Sequence, residues 1–325
     1  MPDLKLVRPS RRSLLEMIVT TPPSVTLSAD EPSAASNASI IGLFAFVVVA
    51  WSLNWVVMKM ALQDVTPLWA VAIRTGLAAL VLFPSLSAAG QLRLPPRGDL
   101  PVILVIALFH MVAFASLMTA GLVFVPASRA IVLGYTTPLW VAPAAFLFLG
   151  ERVTVRQAAG VAVGIAGLLL LFWPDSVAWS SRTALLGNGL VVLAALCWSV
   201  SIVYTRAHRW VATPLQLMPW QCLLATVALV ILALALEGTP PSRIGTLALL
   251  ALAYNGFIGT ALGFWAMTVV NRRVPATTAP LGVLVTPVLG IGLSAIILAE
   301  GLDPLLIVSA LTILFGIALG AKGGG

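Results

Sequence analysis

Thr137-Pro138, followed by Phe148-Leu149-Gly150-Glu151-Arg152-Val153-Thr154, is the stretch that decides the fold, because its landmarks return 149 positions later. Thr286-Pro287 repeats Thr137-Pro138, Glu300 repeats Glu151 and Gly316 repeats Gly167, while upstream Pro126-Ala127 returns as Pro275-Ala276. Nearer the N-terminus the offset is 147: Trp51-Ser52 with Trp198-Ser199, Lys59 with Arg206, and Thr66-Pro67 with Thr213-Pro214. Self-similarity of this kind marks a duplicated structural unit. The two copies occupy residues 40–173 and 184–321.

The solvent of that unit follows from composition. Of 325 residues 60% are hydrophobic and only 9% charged, against roughly 25% charged in a soluble domain. Mean hydropathy is +1.06. Two cysteines and two histidines are too few for a disulfide scaffold or a Cys/His zinc module. A helix crossing the hydrocarbon needs roughly 20 apolar residues. That ruler predicts ten spans, at about 40–59, 67–88, 100–121, 126–149 and 154–173, then 184–206, 214–236, 244–270, 276–299 and 304–321. Residues 1–38 form a polar leader, expected to be a mostly disordered cytoplasmic tail. Ser10-Arg11-Arg12-Ser13-Leu14-Leu15 superficially resembles a twin-arginine signal, but no apolar region or cleavage site follows; Met17 is a second candidate start.

Each copy holds five spans, and an odd number sends the second copy into the membrane from the opposite face. The predicted fold is therefore an all-α integral membrane protein of ten transmembrane helices arranged as two five-helix inverted-topology repeats. Positive residues near span ends stay in the cytoplasm. With the N-terminus inside, Lys5, Arg8, Arg11, Arg12, Arg93, Arg97, Arg152, Arg156, Arg206, Arg209, Arg272, Arg273 and Lys322 lie inside, against Lys59, Arg129, Arg182 and Arg243 outside. Both termini are thus expected to be cytoplasmic. The pI of 10.3 and net charge of +7 reflect this topology, since the charges lie between apolar runs, and imply no nucleic-acid partner. Inverted repeats are the usual construction of secondary transporters.

Phe148 to Thr154, followed by Gln157, Gly160, Gly164 and Gly167, resembles the signature that ends each half of EamA-type exporters. Pro126-Ala127, Thr137-Pro138, Arg74 and the weaker copy at Leu298-Ala299-Glu300 and Gly316 fit the same pattern. The second copy departs from it at Ala299, where Gly is expected, and at Gly301, where Arg is expected. The resemblance covers nearly everything beyond residue 40. It implies the drug/metabolite transporter superfamily: ten helices, a central cavity and export of small metabolites. Within it the chain resembles the YddG-like aromatic amino-acid exporters.

Repeat mates in an inverted pair meet only near the midplane, and Trp51 and Trp198 lie there, about eleven to fifteen residues into their spans. They are candidate opposing walls for a flat or apolar ligand; the competing reading is core or lipid-facing tryptophan. His110 sits halfway along the third span, where a polar side chain faces a cavity or a partner helix. Asn54 shares a helix face with Trp51. Tyr135 and Thr137 precede Pro138, and Thr286 precedes Pro287; proline at mid-span frees carbonyls, so both sites are candidate hinges or binding positions, or packing kinks. Tyr254 and Asn255 lie on the eighth span, the mate of the third. Trp265 reads as an interfacial anchor. Arg74, roughly 10 Å below the outer surface by helical rise, reads as structural, with attraction of an anion the alternative. Gly160-x-x-x-Gly164 and Gly316-x-x-x-Gly320 read as intramolecular packing, with a dimer face the lesser option, so a monomer is favoured.

What the chain lacks narrows the chemistry. Every carboxylate, including Asp64, Asp99, Glu151, Asp175, Glu237, Glu300 and Asp303, falls in the tail, a connection or a span end. Proton-driven efflux of cations generally needs a carboxylate within the membrane. No nucleotide-binding Gly-Lys loop, His-Glu-x-x-His or Gly-x-Ser-x-Gly occurs. No cofactor or metal is expected, and Arg74 alone is too little positive charge for phosphorylated substrates. The expected activity is export of small amphipathic metabolites, amino acids with aromatic or apolar side chains first among them, across a bacterial inner membrane. Transport would be facilitated diffusion or exchange by alternating access. A multidrug exporter of aromatic organic cations is the alternative, and an intramembrane enzyme or structural membrane subunit is the reading from a different class.

Overall fold

The computed structural model describes residues 37–173, 181–273 and 282–321. Among them all regular structure is helical. Eight helices are long and apolar enough to cross a membrane. They are α1 (Asn37–Ala61), α2 (Pro67–Ala88), α3 (Arg97–Phe124), α4 (Ala127–Leu149), α6 (Arg182–Ala207), α7 (Pro214–Leu236), α8 (Thr246–Arg273) and α10 (Pro304–Ala321). Two shorter apolar helices, α5 (Val155–Leu171) and α9 (Val285–Ile297), lie where the fifth and ninth spans were expected. At 17 and 13 residues both fall below the 20-residue ruler. The leader with its arginine pair, Asp175, Pro275-Ala276, the start of the expected ninth span and Lys322 lie outside the described residues.

The repeat extends to how the helices begin, with one instructive difference. Thr213 caps α7 in a reciprocal box with Gln216, and Pro214 supplies the fixed φ of the first turn. Its mate Thr66-Pro67 opens α2, but Trp69 stands where the box needs Gln or Glu. The acceptor comes instead from the other copy: Glu237, past the end of α7, takes bonds from the amides of Leu68 and Trp69, at 2.9 and 3.2 Å, and from the Thr66 hydroxyl.

Between lipid-facing helices hydrophobicity gives little drive, so close packing decides which pair. Among the described residues, three pairs of repeat mates pack closely: α2 on α7, α5 on α10, and the first part of α4 on α9. The α5–α10 contact is backbone on backbone. A Cβ added at Gly160 would sit 2.5 Å from the Gly316 carbonyl, and one at Gly316 would sit 2.6 Å from that of Gly160. The two glycine motifs therefore pack against each other within one chain.

Two features were not legible in the periodicity. Both α3 and α8 widen at mid-length into nine-residue π-helical segments, Ile106–Phe114 and Tyr254–Leu262, which begin 148 residues apart. In addition, α4 breaks at Tyr135-Thr136, and Pro138 lies in the first turn of its second part, Thr137–Leu149. The expected freeing of carbonyls occurs there, but the Thr136 and Thr137 hydroxyls cap the Leu133 and Gly134 carbonyls at 2.6 and 2.8 Å.

Candidate functional site

The π-helical segments frame a central cavity of about 830 Å³, part of it open to solvent. Such bulges recur at functional sites because they turn side chains out of helical register. The segment in α3 contributes His110, Met111 and Phe114; the segment in α8 contributes Gly259 and Thr260. From α1 come Trp51, Asn54 and Trp55, from α2 Arg74 and Thr75, from the break in α4 Gly134 and Tyr135, and from α6 Trp198. A second cavity of about 860 Å³ reaches the end of α6 and the start of α7, past Thr205, Arg206, Trp210 and Pro214. His110, Met111, Trp198 and Phe264 line both, so they form the wall between the two spaces.

That wall belongs to a chain of rings. The His110 ring lies flat on Trp198, with centroids 5.2 Å apart and planes 3° from parallel. Phe114 leans on Trp198 at 4.7 Å and meets Trp55 edge-on at 6.2 Å. On the other side Phe264 stands edge-on to His110 at 6.1 Å and lies 5.5 Å from Trp51. The Trp51 indole N–H donates to the Gly259 carbonyl at 3.1 Å, which fixes its ring against α8. Offset and edge-on pairs of this kind contribute roughly 0.5–1.5 kcal/mol each beyond burial. They hold Trp51 and Trp198 rigidly within the lining of the central cavity.

Of the residues singled out in the sequence, Trp51, Asn54, His110, Tyr135 and Trp198 line the central cavity. Four others lie outside the lining of both cavities, Thr137 and Asn255 bonding within their own helices and Tyr254 and Thr286 between helices. The Thr137 hydroxyl caps Gly134, Tyr254 donates to the Ala50 carbonyl at 3.1 Å, and Asn255 donates to the Ala251 carbonyl at 3.0 Å. Thr286 is buried, and its carbonyl accepts from the Ser52 hydroxyl at 3.0 Å. Pro138 is exposed and Pro287 buried, and neither lines a cavity. Trp265 is exposed.

Arg74, expected to be structural with attraction of an anion as the alternative, lines the central cavity, and its Nε is buried without a partner. Trp55, Phe114 and Phe264 were not singled out. The first two lie four residues after Trp51 and His110, a helical spacing that puts them on the same faces; Phe264 has no such signal.

No Asp or Glu among the described residues lines either cavity. Each is engaged at a helix end. Glu300 accepts from the amides of Ala127 and Ser128 and from the Ser128 hydroxyl, at 2.6 to 2.9 Å, which caps α4. Asp99 accepts from the amides of Val211 and Ala212 and pairs with His208 at 2.8 Å. Asp64 caps α8 through Gly245, Asp303 caps α10 through Leu305, and Glu151 pairs with Arg206.

Two blocks of the chain, residues 38–173 and 185–320, each match the model of the EamA-like transporter family. The chain belongs to that family. A probable amino-acid metabolite efflux pump of Escherichia coli K12 is 30% identical over 86% of this chain and 94% of its own length. An uncharacterized transporter of Bacillus subtilis 168, YoaV, is 26% identical over 83% of this chain and 92% of its own. A solved crystal structure superposes with a TM-score of 0.59 over 88% of this chain and 98% of its own, at 20% identity, which shows a shared fold. This EamA-like protein is thus a multi-pass membrane transporter.

Proposed function

We propose that the protein is an inner-membrane secondary transporter that exports small amphipathic metabolites, amino acids with aromatic or apolar side chains foremost, by alternating access. The reading includes ten membrane crossings in two inverted five-helix repeats, residues 40–173 and 184–321, with both termini cytoplasmic. The observation that carries it is the aromatic wall at the seam of the two copies, with a cavity on each face and no acidic side chain in either among the described residues. A solute entering from the cytoplasm meets the Arg206–Trp210 vestibule first, and the wall of His110, Trp198 and Phe264 must part for it to reach the central cavity. There Trp51 and Trp198 cover its apolar side chain, and Asn54, Tyr135 and His110 face its polar end. Thr137, Tyr254, Asn255 and Thr286 set the helices that carry these groups, while Pro138 and Pro287 mark where α4 and α9 flex.

The name of the Escherichia coli relative supports an amino-acid substrate. The cation-exporter reading draws on the same rings through cation–π attraction, but an arginine in the cavity and no carboxylate oppose it. Counterflow in proteoliposomes decides between them. Labelled phenylalanine should exchange against internal unlabelled phenylalanine without proton movement. Exchange of an aromatic organic cation alone, with accompanying proton flux, would overturn the assignment.

A further inference from the structure

We propose that Arg74 selects for a carboxylate on the transported solute and holds it in the central cavity, while its repeat mate Gln221 places no charge at the matching position in the vestibule; this rests on the transport reading above. Arg74 comes from mid-α2, inside the aromatic cavity, and its Nε is buried with no hydrogen-bond partner. An unpaired guanidinium at membrane depth is costly unless something anionic completes it. The protein offers nothing among the described residues, because every described carboxylate is engaged at a helix end. A planar guanidinium receives a carboxylate through two parallel hydrogen bonds, which an amide or a hydroxyl cannot match.

A second unsatisfied group lines the same cavity. The Asn54 amide oxygen is buried without a partner and abuts Gly259, while the Arg74 backbone abuts Gly256, three residues away on the π-helical segment of α8. An α-ammonium supplies the donor that Asn54 lacks, so the two orphans together match the two ends of a zwitterionic amino-acid head group. The rings of Trp51, Trp198 and Phe114 then take the side chain. Gln221 lies 147 positions from Arg74 and lines the other cavity, beyond the wall. The solute therefore meets its charge partner only after passing His110, Trp198 and Phe264.

The test is competition for labelled L-phenylalanine on the purified full-length protein in liposomes. The competitors are unlabelled phenylalanine, its primary amide, phenethylamine and 3-phenylpropionate. In the wild-type protein phenylalanine should compete best, and the amide should be roughly 10- to 100-fold weaker, the range expected for loss of a hydrogen-bonded charge partner. Arg74→Gln should abolish that discrimination while Arg74→Lys, which keeps the charge without the fork, retains part of it. Equal competition by phenylalanine and its amide in the wild-type protein overturns the role of Arg74 without touching the transport reading, and needs no variant that folds. Discrimination that survives Arg74→Gln overturns it as well. If the wild-type protein binds none of the four, the amino-acid reading fails first and this inference with it.

Discussion

The two cavities share one wall and differ in what surrounds it. The central cavity is rimmed by Trp51, Trp55, Phe114 and Tyr135, with one cation among the described residues, Arg74, that lacks a carboxylate partner. The vestibule carries Ser201, Thr205, Thr268 and Gln221, and its cation, Arg206, is already paired with Glu151 at 2.9 Å. The two copies of the repeat have thus diverged at the cavities as well as at several helix ends. On the proposed reading, a vestibule whose cation is already paired admits many solutes, and the chamber with the unpaired Arg74 selects among them.

The same divergence appears in the loops that end each half. Gly150, after α4, adopts the left-handed conformation at φ 65°. Its mate Ala299 is held at φ 53°, the one described non-glycine residue with positive φ, where a Cβ costs about 1 kcal/mol. The signature glycine missing from the second copy has changed the side chain and left the backbone shape unchanged. The neighbouring glutamates differ in burial and hence in weight. Glu300 caps a partly buried helix start, whereas Glu151 forms an exposed ion pair with Arg206.

Several changes break or sharpen this contrast, and we order them by expected effect. Gly316→Leu drives a side chain into the Gly160 carbonyl and should unfold the α5–α10 pair, with a loss of about 3 kcal/mol or more, read as a collapse of monodisperse protein in detergent. Trp198→Ala removes the face on which His110 lies and merges the two cavities; flux should fall at least about tenfold at unchanged membrane level, with His110→Ala giving the same direction. Glu300→Ala should cost about 1–2 kcal/mol through loss of a helix cap, and Glu151→Ala under about 1 kcal/mol, both measured as thermal midpoints. Equal losses would remove the asymmetry between the loops. The smallest change is a gain: Ala299→Gly should stabilise by about 0.5–1 kcal/mol as the strained φ is relieved.

Much of this was legible because the repeat and the hydrophobic ruler are properties of the sequence itself. The ends of the eight long helices fall within three residues of the expected spans. The Trp51, Asn54, His110, Tyr135 and Trp198 group was recognisable from depth and helical spacing. What escaped depends on local geometry that no period encodes. The π-helical segment of α8 brings Gly259 and Thr260 to the cavity, while Tyr254 bonds across to α1 and Asn255 bonds back within its own helix. Arg74 reads as structural from the family resemblance and its neutral repeat mate Gln221, and position alone does not reveal whether a guanidinium has found a partner. Freed carbonyls near Pro138 were expected to face a ligand, yet neighbouring threonines satisfy them.

The central claim, one gated passage whose two chambers open in turn, is tested most directly by two-sided thiol labelling in a background lacking Cys197 and Cys222. A cysteine at Thr205 should react with a membrane-impermeant reagent from the cytoplasmic side only, and one at Thr260 from the outer side only. Phenylalanine should change the two rates in opposite directions. Labelling of both positions from the same side, unaffected by the amino acid, would contradict the account.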